Sequence, residues 1–139
     1  MARATGRVSL VLPDTSVWAR GNQPAVAGAL SRAIEEDRVL VTQPIVLELL
    51  RGARDLRELV RKSRQYDALP CVELTSRHMR RAREVQQALG WKGYHRGPSA
   101  VDLITAAAAE EVAAVLWHCD RHFALIAEVT GQQVRRVGA

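Results

Sequence analysis

The stretch Val8-Ser9-Leu10-Val11-Leu12-Pro13, followed at once by Asp14-Thr15-Ser16, decides the fold class. A short apolar run of this kind marks a strand buried on both faces. The oxygen-bearing side chains after it can cap a helical turn. The same grammar recurs downstream. RVLVT (38–42) precedes a helix that has Thr42 as cap and Pro44 in its first turn. CVEL (71–74) precedes Thr75 and a long helix ending at Gly90. AAVLWHC (113–119) precedes Asp120 and a helix through Val129, closed by Gly131. Further helices are expected from Pro24 to about Asp37, over 54–67 and after Ser99; QQVRRV (132–137) reads as a weaker edge strand. Alternating strands and helices predict an α/β fold, a parallel sheet with helices on both faces. Ligands in such folds sit beyond the carboxyl ends of the strands.

A length of 139 residues favours a single domain, 1–139. With 47% apolar residues the chain is not disordered, and with 4% aromatics its core must be mostly Ala, Val, Leu and Ile. Two cysteines, Cys71 and Cys119, are too few for a disulfide framework or a structural zinc site; both lie in strand segments and are expected in the core. Lys+Arg outnumber Asp+Glu by 20 to 15, and all the cations except Lys62 and Lys92 are arginine. The surplus fits a polyanionic partner, or merely solvated faces. No apolar run is long enough to span a membrane. Arg3 and Arg7 before the first apolar run imitate a signal peptide, but Pro13-Asp14 falls where a cleavage region should be. A reducing, cytoplasmic setting is expected.

Four acids stand out by position: Asp14, Glu48, Asp102 and Asp120. Asp14, Asp102 and Asp120 each fall at a helix start, so each is explained singly as a cap. Glu48 lies among Val46, Leu47, Leu49 and Leu50. A charge there calls for a partner, a cation, or a boundary position on its helix. Jointly, caps at one edge of one sheet converge by topology. Unit charges about 4 Å apart repel by roughly 4 kcal/mol at an effective dielectric near 20. Gathered carboxylates therefore need protons, Arg partners or a divalent cation, and an all-oxygen set suits Mg²⁺ or Mn²⁺. An acidic pocket on a basic protein suggests metal-assisted attack on a phosphodiester.

The segments LVLPDTSVW (10–18), PIVLELLRG (44–52), SAVDLITAAAAEE (99–111) and VLWHCDRHFALI (115–126) resemble, in order, the signature regions of PIN-domain ribonucleases. The likeness is greatest to the VapC-type toxins of bacterial VapBC toxin–antitoxin pairs. The resemblance implies a three-layer α/β/α sandwich with about five parallel strands in the order 3-2-1-4-5. It implies an endoribonuclease dependent on Mg²⁺ or Mn²⁺ that leaves a 5′-phosphate, with Asp14, Glu48, Asp102 and Asp120 as metal-binding quartet. Thr15 or Ser16 would add an orienting hydroxyl. Many relatives carry Asp-x-Asp-Phe in the fourth region, where this chain has Asp120-Arg121-His122-Phe123. An imidazole can bind a metal or relay a proton but suits Mg²⁺ poorly, so His122 is expected beside the site. The resemblance also implies a VapB-like antitoxin partner, docked on residues 44–67, and a homodimer.

Arg54, Arg57, Arg61 and Arg64 fall within about 80° of one helix face, with Leu56, Leu59 and Val60 expected opposite. Arg77, Arg80, Arg81 and Arg83 form a broader basic face, and His78 on that helix reads as structural. Each basic face is either a solvated surface or a track for an RNA backbone or a partner. The loop Trp91-Lys92-Gly93-Tyr94-His95-Arg96 interleaves aromatics with bases, a pattern that stacks single-stranded RNA or, alternatively, pins the loop to the core through Trp91. Two further readings stand beside the ribonuclease: a PIN-like module that binds RNA or protein without cutting, and a nuclease acting on DNA or structured nucleic acid.

Overall fold

The computed structural model describes residues 9–138. Val8, the first residue of the expected opening strand, lies outside them, as do Arg3 and Arg7. Strand β1 (Val11–Pro13) pairs in parallel with β2 (Val115–His118), in the register Val11↔Val115, Leu12↔Leu116 and Pro13↔Trp117. On its other side β2 pairs in parallel with β3 (Val134–Arg136), which forms an edge as expected. Among the described residues the regular sheet has three strands, fewer than the five or so expected. Segments 38–42 and 71–74 contribute only isolated parallel bridges, Val11↔Val39 and Val41↔Cys71.

Pro13 gives the physical reason. Val11 turns its N–H and C=O toward segment 38–40, donating to Arg38 O at 2.8 Å and accepting from Leu40 N at 2.8 Å. Two residues on, Pro13 faces the same side and has no N–H to continue the ladder. Beyond Val41 the chain is committed to a helix at Gln43, so that segment also stops short.

Among the described residues seven helices follow near the expected positions: α1 (Thr15–Ala19), α2 (Pro24–Glu35), α3 (Gln43–Leu50), α4 (Leu56–Asp67), α5 (Ser76–Trp91), α6 (Ala100–Glu111) and α7 (His122–Thr130). They cover both faces of the sheet. Leu12 and Leu116 point into one core with Leu89, Ala108, Phe123 and Ile126. Their neighbours Val11 and Trp117 point into the other with Val17, Val26 and Leu30. That alternation is the period-two rule of a strand buried on both faces. Ala106, Ala107, Ala108 and Ala109 of α6 are all buried, so a chain with few aromatics gains density by close approach of backbones.

The expected strand 113–119 begins later, at Val115, because Val112 and Ala113 form the turn that ends α6. Ala113 adopts φ +56°, and Ala114 N donates back to Ala109 O at 2.9 Å, which closes the helix in the left-handed manner usually left to glycine. Gly131 closes α7 the same way at φ +71°.

His78 is buried and structural. Its Nδ1 accepts from Thr75 N at 2.9 Å, and its Nε2 lies 2.7 Å from Glu111 Oε1, so it clamps the start of α5 to the end of α6. Cys119 is buried as expected, its thiol donating to Val137 O at 3.0 Å. Cys71 is exposed, contrary to the expectation of a core residue, because its segment pairs through a single bridge at the sheet's margin.

Candidate metal centre and nucleic-acid interface

Because β1 and β2 are adjacent and parallel, their carboxyl ends deliver Asp14 and Asp120 to one edge of the sheet. The Asp14 amide extends the ladder by donating to Trp117 O at 2.9 Å, and the Asp14 carboxylate caps α1 through Ser16 N at 3.0 Å. Asp120 Oδ1 accepts from His122 N at 2.9 Å at the start of α7. Asp102 sits in a capping box on α6: its Oδ2 accepts from Ser99 N at 2.9 Å, and its own N donates to Ser99 Oγ at 3.1 Å. The bonds that hold Asp14 at the start of α1 and Asp102 at the start of α6 thus also keep both carboxylates in place, whereas α7 takes Arg121 and not the expected Asp120 as its cap.

Burial and neighbouring charge act together on Asp14 and Asp102. Burial raises the Asp14 carboxyl above its ordinary value of 3.8 against the opposing pull of the Ser16 hydrogen bonds, and the charges of Asp102 and Asp120 add to the rise. Asp102 is raised too, first by burial and then by Asp120, while its Ser99 bonds and His122 oppose the shift. His122 Nδ1 lies 3.6 Å from Asp102 Oδ2, and the imidazole rests against the loop: a Cβ at Gly97 would lie 3.5 Å from His122 Cδ2.

Glu48 is placed differently from its expected setting among apolar side chains. It is exposed on α3, so solvent satisfies its charge and burial demands no partner. Its link to the group runs through Thr15, whose hydroxyl donates to Glu48 Oε1 at 3.1 Å. Ser16 has a bracing role: its Oγ accepts from Cys119 N at 3.0 Å and ties α1 to the end of β2. Among the described residues, no three His, Cys, Asp or Glu side chains already stand at metal-ligand spacing. The donors here are carboxylates without thiolates, and the Asp14 and Asp102 carboxyls are raised. Such a set fits a hard divalent cation that keeps waters or substrate oxygens in its shell.

The basic surfaces differ from the expected bare rows. On α5, Arg81 makes a two-pronged contact with Glu110 at 2.7 and 3.0 Å, and Arg77 reaches Glu111 at 3.3 Å. Arg54, expected on the helix but lying just before α4, is 2.6 Å and Lys62 of α4 is 3.2 Å from Glu58, whose carboxyl their hydrogen bonds pull down to about 2. Leu56 and Val60 share one groove with Arg57, Arg61 and Arg64, so the expected opposition of apolar and basic faces is corrected for these two. At about 100° per residue Val60 stands only about 40° from Arg64. Trp91 is 86% exposed and does not pin its loop to the core. Lys92 lies 3.6 Å from Glu128, and Tyr94 and Arg96 are exposed. Ser99, three residues before Asp102, reads in the sequence as its capping-box partner, and it holds that carboxylate.

An acid-bearing edge on a helix-covered parallel sheet is the arrangement of the PIN domain. The PIN-domain family model matches residues 11–129, and the chain belongs to that family. Among curated relatives, it is 40% identical over 121 residues to Ribonuclease VapC51 of Mycobacterium tuberculosis, covering 87% of this chain and 88% of the relative. It is 30% identical over 121 residues to Ribonuclease VapC18 of the same organism, covering 86% and 88%. Among solved structures it superposes on DNA-bound VapBC from Salmonella typhimurium with a TM-score of 0.72, at 15% identity and 93% and 98% coverage. VapBC2 from Rickettsia felis, bound to a promoter DNA fragment, gives a TM-score of 0.74 at 13% identity and 91% and 98% coverage. At these identities the structural likeness speaks for the fold. No helix among the described residues is long and apolar enough to cross a membrane.

Proposed function

We propose that this protein is an endoribonuclease that hydrolyses RNA phosphodiesters with a divalent cation, Mg²⁺ or Mn²⁺, and is the toxin of a toxin–antitoxin pair. The observation that carries the reading is the convergence of Asp14, Asp102 and Asp120 at one edge of the sheet, where the charge of Asp120 adds to the rise of the Asp14 and Asp102 carboxyls. Ribonuclease is the printed activity of the relatives at 30–40% identity. In this reading Asp14, Asp102 and Asp120 hold the cation and Glu48 completes the set. When bound, the cation supplies Lewis acidity toward the phosphodiester and toward the attacking water.

The chain's own residues do the rest. The Ser16 amide and Ser99 fix the rotamers of Asp14 and Asp102. The Thr15 hydroxyl turns Glu48 toward α1. His122, beside Asp102, offers a proton donor at the margin of the site. Trp91, Lys92, Tyr94 and Arg96 are exposed on the loop leading into α6 and are available to RNA.

The VapBC neighbours are toxin–antitoxin assemblies, and a VapB-like antitoxin fits the exposed apolar side chains Leu47 and Leu56 (64% and 74% exposed) and the groove of α4, within residues 44–67. A homodimer is part of the same proposal.

The test is cleavage of a labelled RNA with Mg²⁺, with Mn²⁺ and with EDTA, beside DNA of the same sequence. Cutting of RNA alone, dependent on the cation and lost in Asp14→Asn, is expected. Full activity in EDTA, or an active Asp14→Asn protein, would reject the proposal.

A further inference from the structure

The outer side of α5 carries a second feature, separate from the acids. A groove of about 700 Å³ runs there, lined among others by Arg80, Arg83, Gln86, Gln87, Trp91 and His95. Trp91, at 86% exposure, is the most exposed large apolar side chain among the described residues. An indole left in water next to a cleft marks a contact surface rather than a packing need.

The arginines of α5 divide into two pairs. Arg77 and Arg81 turn to α6 and engage Glu111 and Glu110. Arg80 and Arg83 have no carboxylate partner among the described residues and line the groove. Glu84, the acid in the groove, is held by Arg81 at 3.3 Å. The groove therefore offers a flat aromatic face, two guanidinium groups without a carboxylate partner among the described residues (Arg80 reaches only Ser76 Oγ, at 3.4 Å) and two amides. A loop links it to the acid edge. The loop that starts at Trp91 passes His95, which backs onto Gly90, and reaches Gly97 against His122, itself 3.6 Å from Asp102.

We infer that this groove is a subsite for single-stranded RNA away from the cleaved bond, with the Trp91 indole stacking one base and Arg80 and Arg83 holding the flanking phosphates. The inference rests on the nuclease reading above and gives its substrate a path. An aromatic face can stack only a base that is not already paired, so the fit is to a single strand and not a duplex. A second copy of this chain is a poorer occupant. A two-fold contact here would set Arg80 and Arg83 against their own copies on a chain of net charge +5, whereas a polyanion neutralises them.

The test is fluorescence anisotropy of a labelled single-stranded RNA of about 12 nucleotides and mixed sequence, a length one aromatic-lined site can span. EDTA is present to prevent cleavage, and KCl is varied. Trp91→Ala is expected to weaken binding roughly 5- to 100-fold, the worth of one stacked base. Arg80→Gln with Arg83→Gln should lower the slope of log affinity against log salt by roughly 1.4, about 0.7 for each phosphate released. A blunt RNA duplex of the same sequence should be insensitive to Trp91→Ala. Unchanged binding in Trp91→Ala overturns the inference. So does a dimer that falls to monomer in sedimentation while RNA affinity stays the same, which would assign the groove to a second copy. Binding in EDTA judges the groove alone, while cleavage by Asp14→Asn judges the nuclease reading, so each can fail without the other.

Discussion

At the scale of single residues, Asp14 and Asp102 are held in ionised forms that the fold disfavours. Their carboxyls are raised mainly by burial. Below about pH 3.8 both folded and unfolded chains are protonated there, and no penalty arises. As pH climbs from that value through the raised folded value, the native state keeps protons the unfolded chain has released. Stability therefore falls across the window, and the penalty is complete above it. Asp14→Asn keeps an oxygen for Ser16 N and removes the charge, so its melting temperature at pH 7 should exceed that of the wild type. A pH series of thermal melts should show the gain vanishing below about pH 3. A lower melting temperature at pH 7 would contradict the assignment of strain to this carboxylate. Ser16→Ala is expected to act in the opposite direction. It strips the Cys119 amide of its acceptor and should cost about 1–3 kcal/mol in urea unfolding. The three aspartates were legible in the sequence because caps are local and sheet topology is regular. Glu48 was legible as a residue of interest but for the wrong reason: four apolar neighbours in sequence do not bury a side chain that a short helix turns outward. Nothing in the sequence places Ser16 against Cys119, since that contact spans 103 residues.

At the scale of elements, the turn after α6 is under local strain. Ala113 holds φ +56°, a conformation that disfavours residues with a Cβ. Ala113→Gly should raise stability by about 0.5–1 kcal/mol in denaturant titration, the relief exceeding the extra freedom gained by the unfolded chain. The clamp between α5 and α6 is stronger. His78→Ala removes both partners of a buried ring and should cost about 2–4 kcal/mol by the same measurement. Helices were readable to within a few residues, because caps such as Thr75 and Ser99 announce them; α4 has Asp55 as a cap not expected from the sequence and opens two residues later than expected. Strands were overread. A run such as RVLVT satisfies every local criterion for a strand, yet pairing depends on what the neighbouring chain can donate, and Pro13 donates nothing. The basic faces were overread for a related reason. Helical spacing puts Arg77 and Arg81 on a surface, but Glu110 and Glu111 arrive from another helix, which periodicity within α5 cannot reveal.

At the scale of the whole molecule, the acids concentrate negative charge at one sheet edge of a protein with net charge +5. A cation taken up there should stabilise the folded state by mass action, so Mg²⁺ or Mn²⁺ should raise the melting temperature of the wild type in a concentration-dependent way and leave Asp14→Asn nearly unmoved. Equal shifts in both would mean that the ion acts elsewhere. The overall architecture was legible because the alternation of strand and helix, the acidic strand ends and the small-residue core all pointed to the same fold. The Ser16–Cys119 bond has a temporal consequence. During synthesis the β2 strand against which Asp14 is anchored follows that residue by about a hundred positions, and Asp120 comes later still. A nascent chain that has not yet reached β2 holds Asp14 with neither its anchor nor Asp120 beside it. The acidic edge is a late product of translation relative to its own first member.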